Sequence, residues 1–300
     1  MLIKKGDVIK VNDTIYLYLE HRQQDMFYVN NIINISNKTY EIQERLASGG
    51  NAVVHKCVEQ ISGEEFAIKF QLTPFNKKRI KRFKQEIALL RQIKHEQLVN
   101  YIEDGEIAFK IRKKGGFKNV TDTSIPFIIM QLANENLTDF LKRNGSISYA
   151  DYIAQFRGLA SALATLHGKA IHRDIKPENI LVSGETWILS DFGLCKFNDE
   201  AMELTADYEV VGPRYWMSPE ALNRCVGNAD EISKSSDVYQ LCSIFWYVVT
   251  GRHPMGIVSE DDWKGPQPLF RVIYDSLSHD SSKRPCDGGE LLKKIEDITI

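Results

Sequence analysis

The chain has 300 residues, 43% hydrophobic and 26% charged, values ordinary for a soluble globular protein with room for two lobes or two modest domains. A formal net charge of -2 excludes a global pull toward nucleic acid or a membrane surface, and no apolar run is long enough to span a bilayer. The five cysteines are odd in number and form no Cys-x-x-Cys pair, which argues against a disulfide framework or zinc site and favours reduced thiols in a cytosol.

Residues 1–40 are rich in Ile, Val, Tyr and Asn. Ile15–Leu19 and Met26–Val29 are expected as strands joined by a polar turn, in a β-rich extension of unassigned role. Met1–Lys10 lacks the apolar core of a signal peptide. Leu46–Val54 follows, small-residue-rich around Ala47, Gly49, Gly50 and Ala52 and set between strand-like segments. Such a hairpin lets backbone N–H groups approach phosphates closely. Glu65–Phe70 reads as a strand in which Lys69 alternates with Phe66, Ile68 and Phe70. Arg79–Ile93 has Phe83, Ile87, Leu90 and Ile93 at helical spacing, with Glu86 beside the apolar stripe. The basic residues Lys77, Lys78, Arg79, Lys81, Arg82 and Lys84 read as a solvated helix face. Residues 103–125 are expected as an extended loop or hairpin, and Phe127–Met130 as a buried strand.

Leu137–Arg143 and Tyr152–His167 have helical periodicity, the second with Phe156, Leu159, Leu163 and Leu166 as its buried stripe. Then comes His172-Arg173-Asp174-Ile175-Lys176-Pro177-Glu178-Asn179, followed by Asp191-Phe192-Gly193. The two runs bring an acid, a cation and oxygen donors suited to Mg²⁺ onto neighbouring loops. Beyond Gly251, Leu269–Tyr274 and Glu290–Ile298 are expected as helices, with Pro266-Gln267-Pro268 as a loop.

In this order the motifs resemble the eukaryotic-like, Hanks-type Ser/Thr protein kinases, over roughly residues 40–298. The resemblance implies an α+β bilobal fold: a small antiparallel N-lobe with one helix (41–131) and a mainly helical C-lobe (132–300), with 1–40 as the extension. It implies ATP and Mg²⁺ as cofactors and a protein hydroxyl as acceptor. Lys69 would hold the α and β phosphates and pair with Glu86. Leu46, Ala47, Gly49, Val54, Ala67, Met130 and Leu181 would line the nucleotide site, and backbone groups of Gln131 and Ala133 would bond the adenine edge. Asp174 would orient the acceptor hydroxyl and take its proton, Lys176 would neutralise transferred charge, and Asn179 and Asp191 would bind Mg²⁺. His172 and Phe192 would stack in a buried spine with Leu90 and Tyr101.

Further along, Glu220 would pair with Arg284 and close the activation segment, and Asp237 would brace the catalytic loop. Arg173 suggests control by a phosphate on that segment, with Thr205 and Tyr208 as the candidate positions. The sequence departs from the family pattern at Ala47 and Ala52, which replace the outer glycines, at Pro213, which replaces a Thr, and at Cys242, which replaces a Gly. The substituted glycines and Pro213 motivate a rival reading as a pseudokinase-like nucleotide-binding scaffold, Cys242 reading as a packing variation; a kinase for a small molecule or nucleic-acid-linked substrate is the second rival. No nucleic-acid or membrane partner is expected, a cytoplasmic location is, and the oligomeric state stays open.

Overall fold

The computed structural model describes residues 8–11, 14–17, 31–48, 52–73, 76–112, 120–198, 215–228 and 230–298. These divide into two compact units, one within 1–91 and 100–132, the other within 92–99 and 133–300.

The first unit contains β1 (Val8–Val11), β2 (Thr14–Leu17), β3 (Asn31–Ile35), β4 (Lys38–Ser48), β5 (Ala52–Glu59), β6 (Glu65–Gln71), α1 (Lys77–Leu90), β7 (Tyr101–Arg112) and β8 (Val120–Gln131). The strands form one eight-stranded sheet in the order β1-β2-β7-β8-β6-β5-β4-β3. Neighbours run antiparallel except β2 and β7, which pair in parallel. The strands before residue 38 therefore continue this sheet at both of its edges. Of the expected N-terminal strands, Ile15–Leu19 overlaps β2, Met26–Val29 lies outside the described residues, and β1 was not anticipated.

Ser36 and Asn37 join β3 to β4 with φ of 48° and 65°. Two successive left-handed residues make the tight hairpin whose twist matches its strands, and Asn tolerates that conformation well. One face of the sheet buries Ile33, Tyr40, Ile42, Val53, Cys57, Ile68, Phe70, Ile125, Phe127 and Ile129. Side chains alternate along a strand, so Ala67 and Lys69 of β6 point to the other face. There Lys69 meets Glu86 of α1. Helix α1 starts before the predicted Arg79 because Asn76 caps it, its side-chain oxygen accepting the Arg79 N–H at 3.1 Å. It ends at Leu90, short of Ile93.

Segment 92–99 belongs to the second unit, although sequence spacing grouped it with the first. Its hydrogen bonds give the reason. Val99 N–H donates to Leu189 O at 3.0 Å, Leu189 N–H donates to Gln97 O at 2.9 Å, and the Gln97 amide donates to Trp187 O at 2.9 Å.

The second unit runs β9 (Glu135–Asn136), α2 (Leu137–Asn144), α3 (Tyr149–His167), β10 (Ala170–Ile171), β11 (Ile180–Ser183), β12 (Thr186–Leu189), β13 (Lys196–Phe197), α4 (Pro219–Cys225), α5 (Lys234–Thr250), α6 (Gln267–Ser276) and α7 (Gly288–Glu296). Strands β9, β11 and β12 form one small sheet, β10 and β13 another. Helix α5 is buried nearly all round: Val238, Leu241, Cys242, Ile244, Phe245 and Trp246 pack in the interior of the unit, while Ser236, Asp237, Gln240 and Ser243 are buried polar residues on the same helix. Phe245 stacks on Phe156 of α3 at 3.8 Å between ring centroids.

Three helix starts in this unit differ from the sequence reading, two of them for a capping reason. Ser148 caps α3, extending it back to Tyr149. Asp287 caps α7, which therefore opens at Gly288. Pro268, expected in a loop, sits in the first turn of α6, where its missing N–H costs nothing.

Candidate active site

In the first unit the sheet register gathers the predicted nucleotide-contacting residues. Ala47 of β4 pairs with Val54 of β5, which pairs with Lys69 of β6. Ala67 pairs with Met130 of β8. Directly opposed residues share a face, so Ala47, Val54, Lys69, Ala67 and Met130 line one side of the sheet. Leu46 is the extra residue of a bulge between Arg45 and Ala47 and is 46% exposed. Gly49 lies outside the described residues.

Lys69 Nζ lies 2.7 Å from Glu86 Oε1, and both side chains are buried. A pair this dry demands good geometry, because each charge alone would suffer a large desolvation penalty. The Gln131 N–H donates to Asn100 O at 2.9 Å, which commits that donor and leaves the carbonyl as its counterpart. Of the expected spine residues in this unit, Leu90 is buried. The Tyr101 hydroxyl donates to Asp104 at 2.5 Å, with Arg91 bonded to the same carboxylate at 2.8 Å.

In the second unit β10 delivers the chain into the loop that carries Asp174. Asp174 accepts from Lys176 Nζ at 3.2 Å and 3.0 Å, through Oδ1 and Oδ2 respectively. Asn179 Nδ2 donates to Asp174 Oδ2 at 2.9 Å and to the Asp174 carbonyl at 2.8 Å. Burial pushes the Asp174 carboxyl above the usual aspartate range; Lys176 opposes that rise, and the charge of Asp191 adds to it. Asp174, Lys176 and Asn179 are thus drawn into one cluster, with Asp191 close enough to act on it electrostatically.

Asp191 is exposed and holds a left-handed backbone, φ 61°, with its carboxylate accepting from the Gly193 N–H at 3.4 Å. Leu181 sits on β11 opposite Ile188, half-buried, and Ala133 begins the longer stretch of the unit, also half-buried. The oxygens that could serve a hard cation here are the Asn179 amide oxygen and the Asp191 carboxylate. Because the Asn179 nitrogen is spent on Asp174, its oxygen is the end left for a metal, and oxygen donors of this kind fit Mg²⁺.

A second layer holds the loop. His172 and Phe192 pack ring to ring at 5.3 Å. The His172 Nε2 nitrogen donates to Ser190 O at 3.1 Å, and its Nδ1 accepts the Asp174 N–H at 3.2 Å. Asp237, fully buried on α5, accepts the N–H groups of His172 at 2.6 Å and Arg173 at 2.8 Å. His167 joins the same carboxylate at 3.0 Å and was not singled out in the sequence. It ends α3 with no motif around it, so only the fold reveals its place. Arg173 has φ 68°, a left-handed conformation that a non-glycine residue keeps only when its surroundings over-determine it.

Glu220 and Arg284 form the expected buried pair, bidentate at 2.8 Å and 2.9 Å. Thr205, Tyr208 and Pro213 lie outside the described residues. Cys242, where a glycine was expected, is fully buried on α5, and burial pushes its thiol up to about 12.

The chain belongs to the protein kinase domain family, which matches residues 40–294. It is similar to a probable serine/threonine-protein kinase of Clostridium acetobutylicum, 28% identical over 225 residues that cover 73% of this chain and 31% of the relative. A probable serine/threonine-protein kinase of Bifidobacterium longum is 28% identical over 221 residues, covering 72% and 30%. A serine/threonine-protein kinase of Schizosaccharomyces pombe is 29% identical over 265 residues, covering 83% and 54%. The chain thus spans between about a third and about half the length of these relatives. No helix among the described residues is long and apolar enough to cross a membrane.

Proposed function

We propose that the chain is an ATP-dependent Ser/Thr protein kinase, transferring the γ-phosphoryl group to a protein hydroxyl in a cytoplasmic setting. The observation that carries this reading is the Asp174 cluster, in which a buried carboxylate is aimed by Lys176 and Asn179 while its own backbone is pinned. Phosphoryl transfer asks mainly for in-line positioning and charge cancellation. Asp174 would orient the acceptor hydroxyl and receive its proton at Oδ. Lys176 would offset charge on the transferred group. Lys69, fixed by Glu86, would hold the α and β phosphates, and Ala47, Val54, Ala67 and Met130 would cover the base and sugar. The Gln131 N–H is taken, so its carbonyl and the backbone of Ala133 would meet the adenine edge. Asn179 and Asp191 would hold Mg²⁺, which when bound neutralises phosphate charge.

Control through a phosphate on the activation segment is part of the proposal, motivated by Arg173 directly before Asp174. The scaffold reading rests on Ala47, Ala52 and Pro213. Incubation with Mg²⁺, labelled ATP and casein, followed by acid hydrolysis, separates the two. Phosphoserine or phosphothreonine supports the kinase. Absence of label supports the scaffold, and phosphotyrosine overturns the acceptor class.

A further inference from the structure

Four successive backbone N–H groups, those of residues 172–175, end on four separate side-chain atoms. His172 and Arg173 donate to the two oxygens of Asp237, and Asp174 donates to His172 Nδ1. The Ile175 N–H donates to Gln240 Oε1 at 3.2 Å. Gln240 lies three residues after Asp237 on α5 and is 3% exposed. Residues at that spacing share a helix face, so one face of α5 supplies three of the four acceptors.

Ile175 N–H belongs to the peptide unit that carries the Asp174 carbonyl. That carbonyl accepts from Asn179 Nδ2 at 2.8 Å. The 174–175 peptide plane is therefore held at both ends, by Asn179 on its oxygen and Gln240 on its nitrogen. The preceding plane is held through the Asp174 N–H. With both planes fixed, the Cα–Cβ direction of Asp174 is fixed as well. We infer that Gln240 is a positioning residue for Asp174, setting the angle at which that carboxylate meets an acceptor hydroxyl. The simpler role, satisfying a buried donor beside Ile175, accounts for the hydrogen bond but requires no kinetic consequence.

The inference rests on the proposed phosphotransfer reading, so its test has a second readout independent of activity. Gln240→Met keeps the length and volume of the side chain and removes the amide oxygen. Gln240→Glu restores an acceptor. In the full chain, Gln240→Met is expected to lower kcat about tenfold, the rate equivalent of one hydrogen bond, and Gln240→Glu to recover most of it. KM for ATP should stay within about twofold, because uniform nucleotide binding is untouched. Amide hydrogen exchange of residues 172–176, measured without nucleotide, should accelerate in Gln240→Met. In Gln240→Glu the added acid should move the acid limb of the kcat profile to higher pH. If Gln240→Met fails to fold, Gln240→Ser carries the same comparison.

Faster exchange with unchanged kcat overturns the positioning role. Unchanged exchange overturns the grip on the loop altogether. A wild type that transfers no phosphate defeats the kinase reading instead, and exchange then decides the grip of Gln240 by itself.

Discussion

Arg284→Ala removes a guanidinium whose five N–H donors are all engaged. Two go to Glu220, at 2.8 Å and 2.9 Å. The others go to Ser278 O at 2.7 Å, Ser235 O at 3.3 Å and His279 O at 3.1 Å. The Tyr239 ring adds a cation–π contact at 5.0 Å. Glu220 is 7% exposed and also accepts from Ser236 Oγ at 2.5 Å. Truncation strands Glu220 as a buried charge, which costs about 3–5 kcal/mol. For a unit of this size that corresponds to a fall in Tm of roughly 6–20 °C. Arg284→Lys should recover only part, since an ammonium lacks the planar fork that meets both carboxylate oxygens. Burial alone would raise the Glu220 carboxyl, but its hydrogen bonds to Arg284 and Ser236 outweigh that and hold it low. A depressed folded-state pKa stabilises above the unfolded value, and the contribution is lost as pH falls through the folded one. The gap between wild type and Arg284→Ala in urea unfolding should therefore be full only well above pH 4.5, the unperturbed glutamate value, and should close as pH falls, first as the stranded carboxyl of the variant, raised by burial, takes up its proton. A gap under about 1 kcal/mol at pH 7, the size of an exposed surface pair, would refute the reasoning.

Other perturbations follow from the same geometry. Lys176→Met removes the charge that opposes the burial-raised Asp174 carboxyl, so the acid limb of kcat/KM should move to higher pH; a shift downward would contradict the assignment. Lys69→Met takes the ammonium away from buried Glu86 and should lower the melting temperature of the first unit, whereas Lys69→Met with Glu86→Leu should cost less than the single change. Gly288→Ala places a Cβ 2.4 Å from the Ala164 backbone nitrogen and should cost about 1–3 kcal/mol by urea titration. Asp237→Asn replaces one of the acceptor oxygens facing His172 and Arg173 with an amide donor; hydrogen exchange in that loop should rise, and unchanged protection would count against its bracing role.

The sequence carried the grouping of the side chains around Asp174 well because they are local. Asp174, Lys176 and Asn179 lie within one short run, and the loop that joins them also brings them together. The Lys69–Glu86 and Glu220–Arg284 pairs were legible because motif order supplied the partners that spacing alone does not. Long-range support was harder to read. His167 and Gln240 reach the loop that carries Asp174 only through the packing of α3 and α5, and neither stands in a motif. Gln240 left one faint signal, its helical spacing from Asp237. Helix boundaries missed by two or three residues because single caps, Asn76 and Ser148, outweigh the apolar stripe in deciding where a helix starts. Segment 92–99 was grouped with the wrong unit since only backbone pairing with Leu189, far along the chain, fixes its place.

The most direct measurement is single-turnover transfer from labelled ATP to a serine- or threonine-containing protein, wild type against Asp174→Asn, with Mg²⁺·ATP affinity measured on both. Loss of a positioned general base should slow transfer by about 10²–10⁴ while nucleotide affinity is retained. Equal transfer by the two proteins would contradict the role given to Asp174, and with it the active site built around that carboxylate.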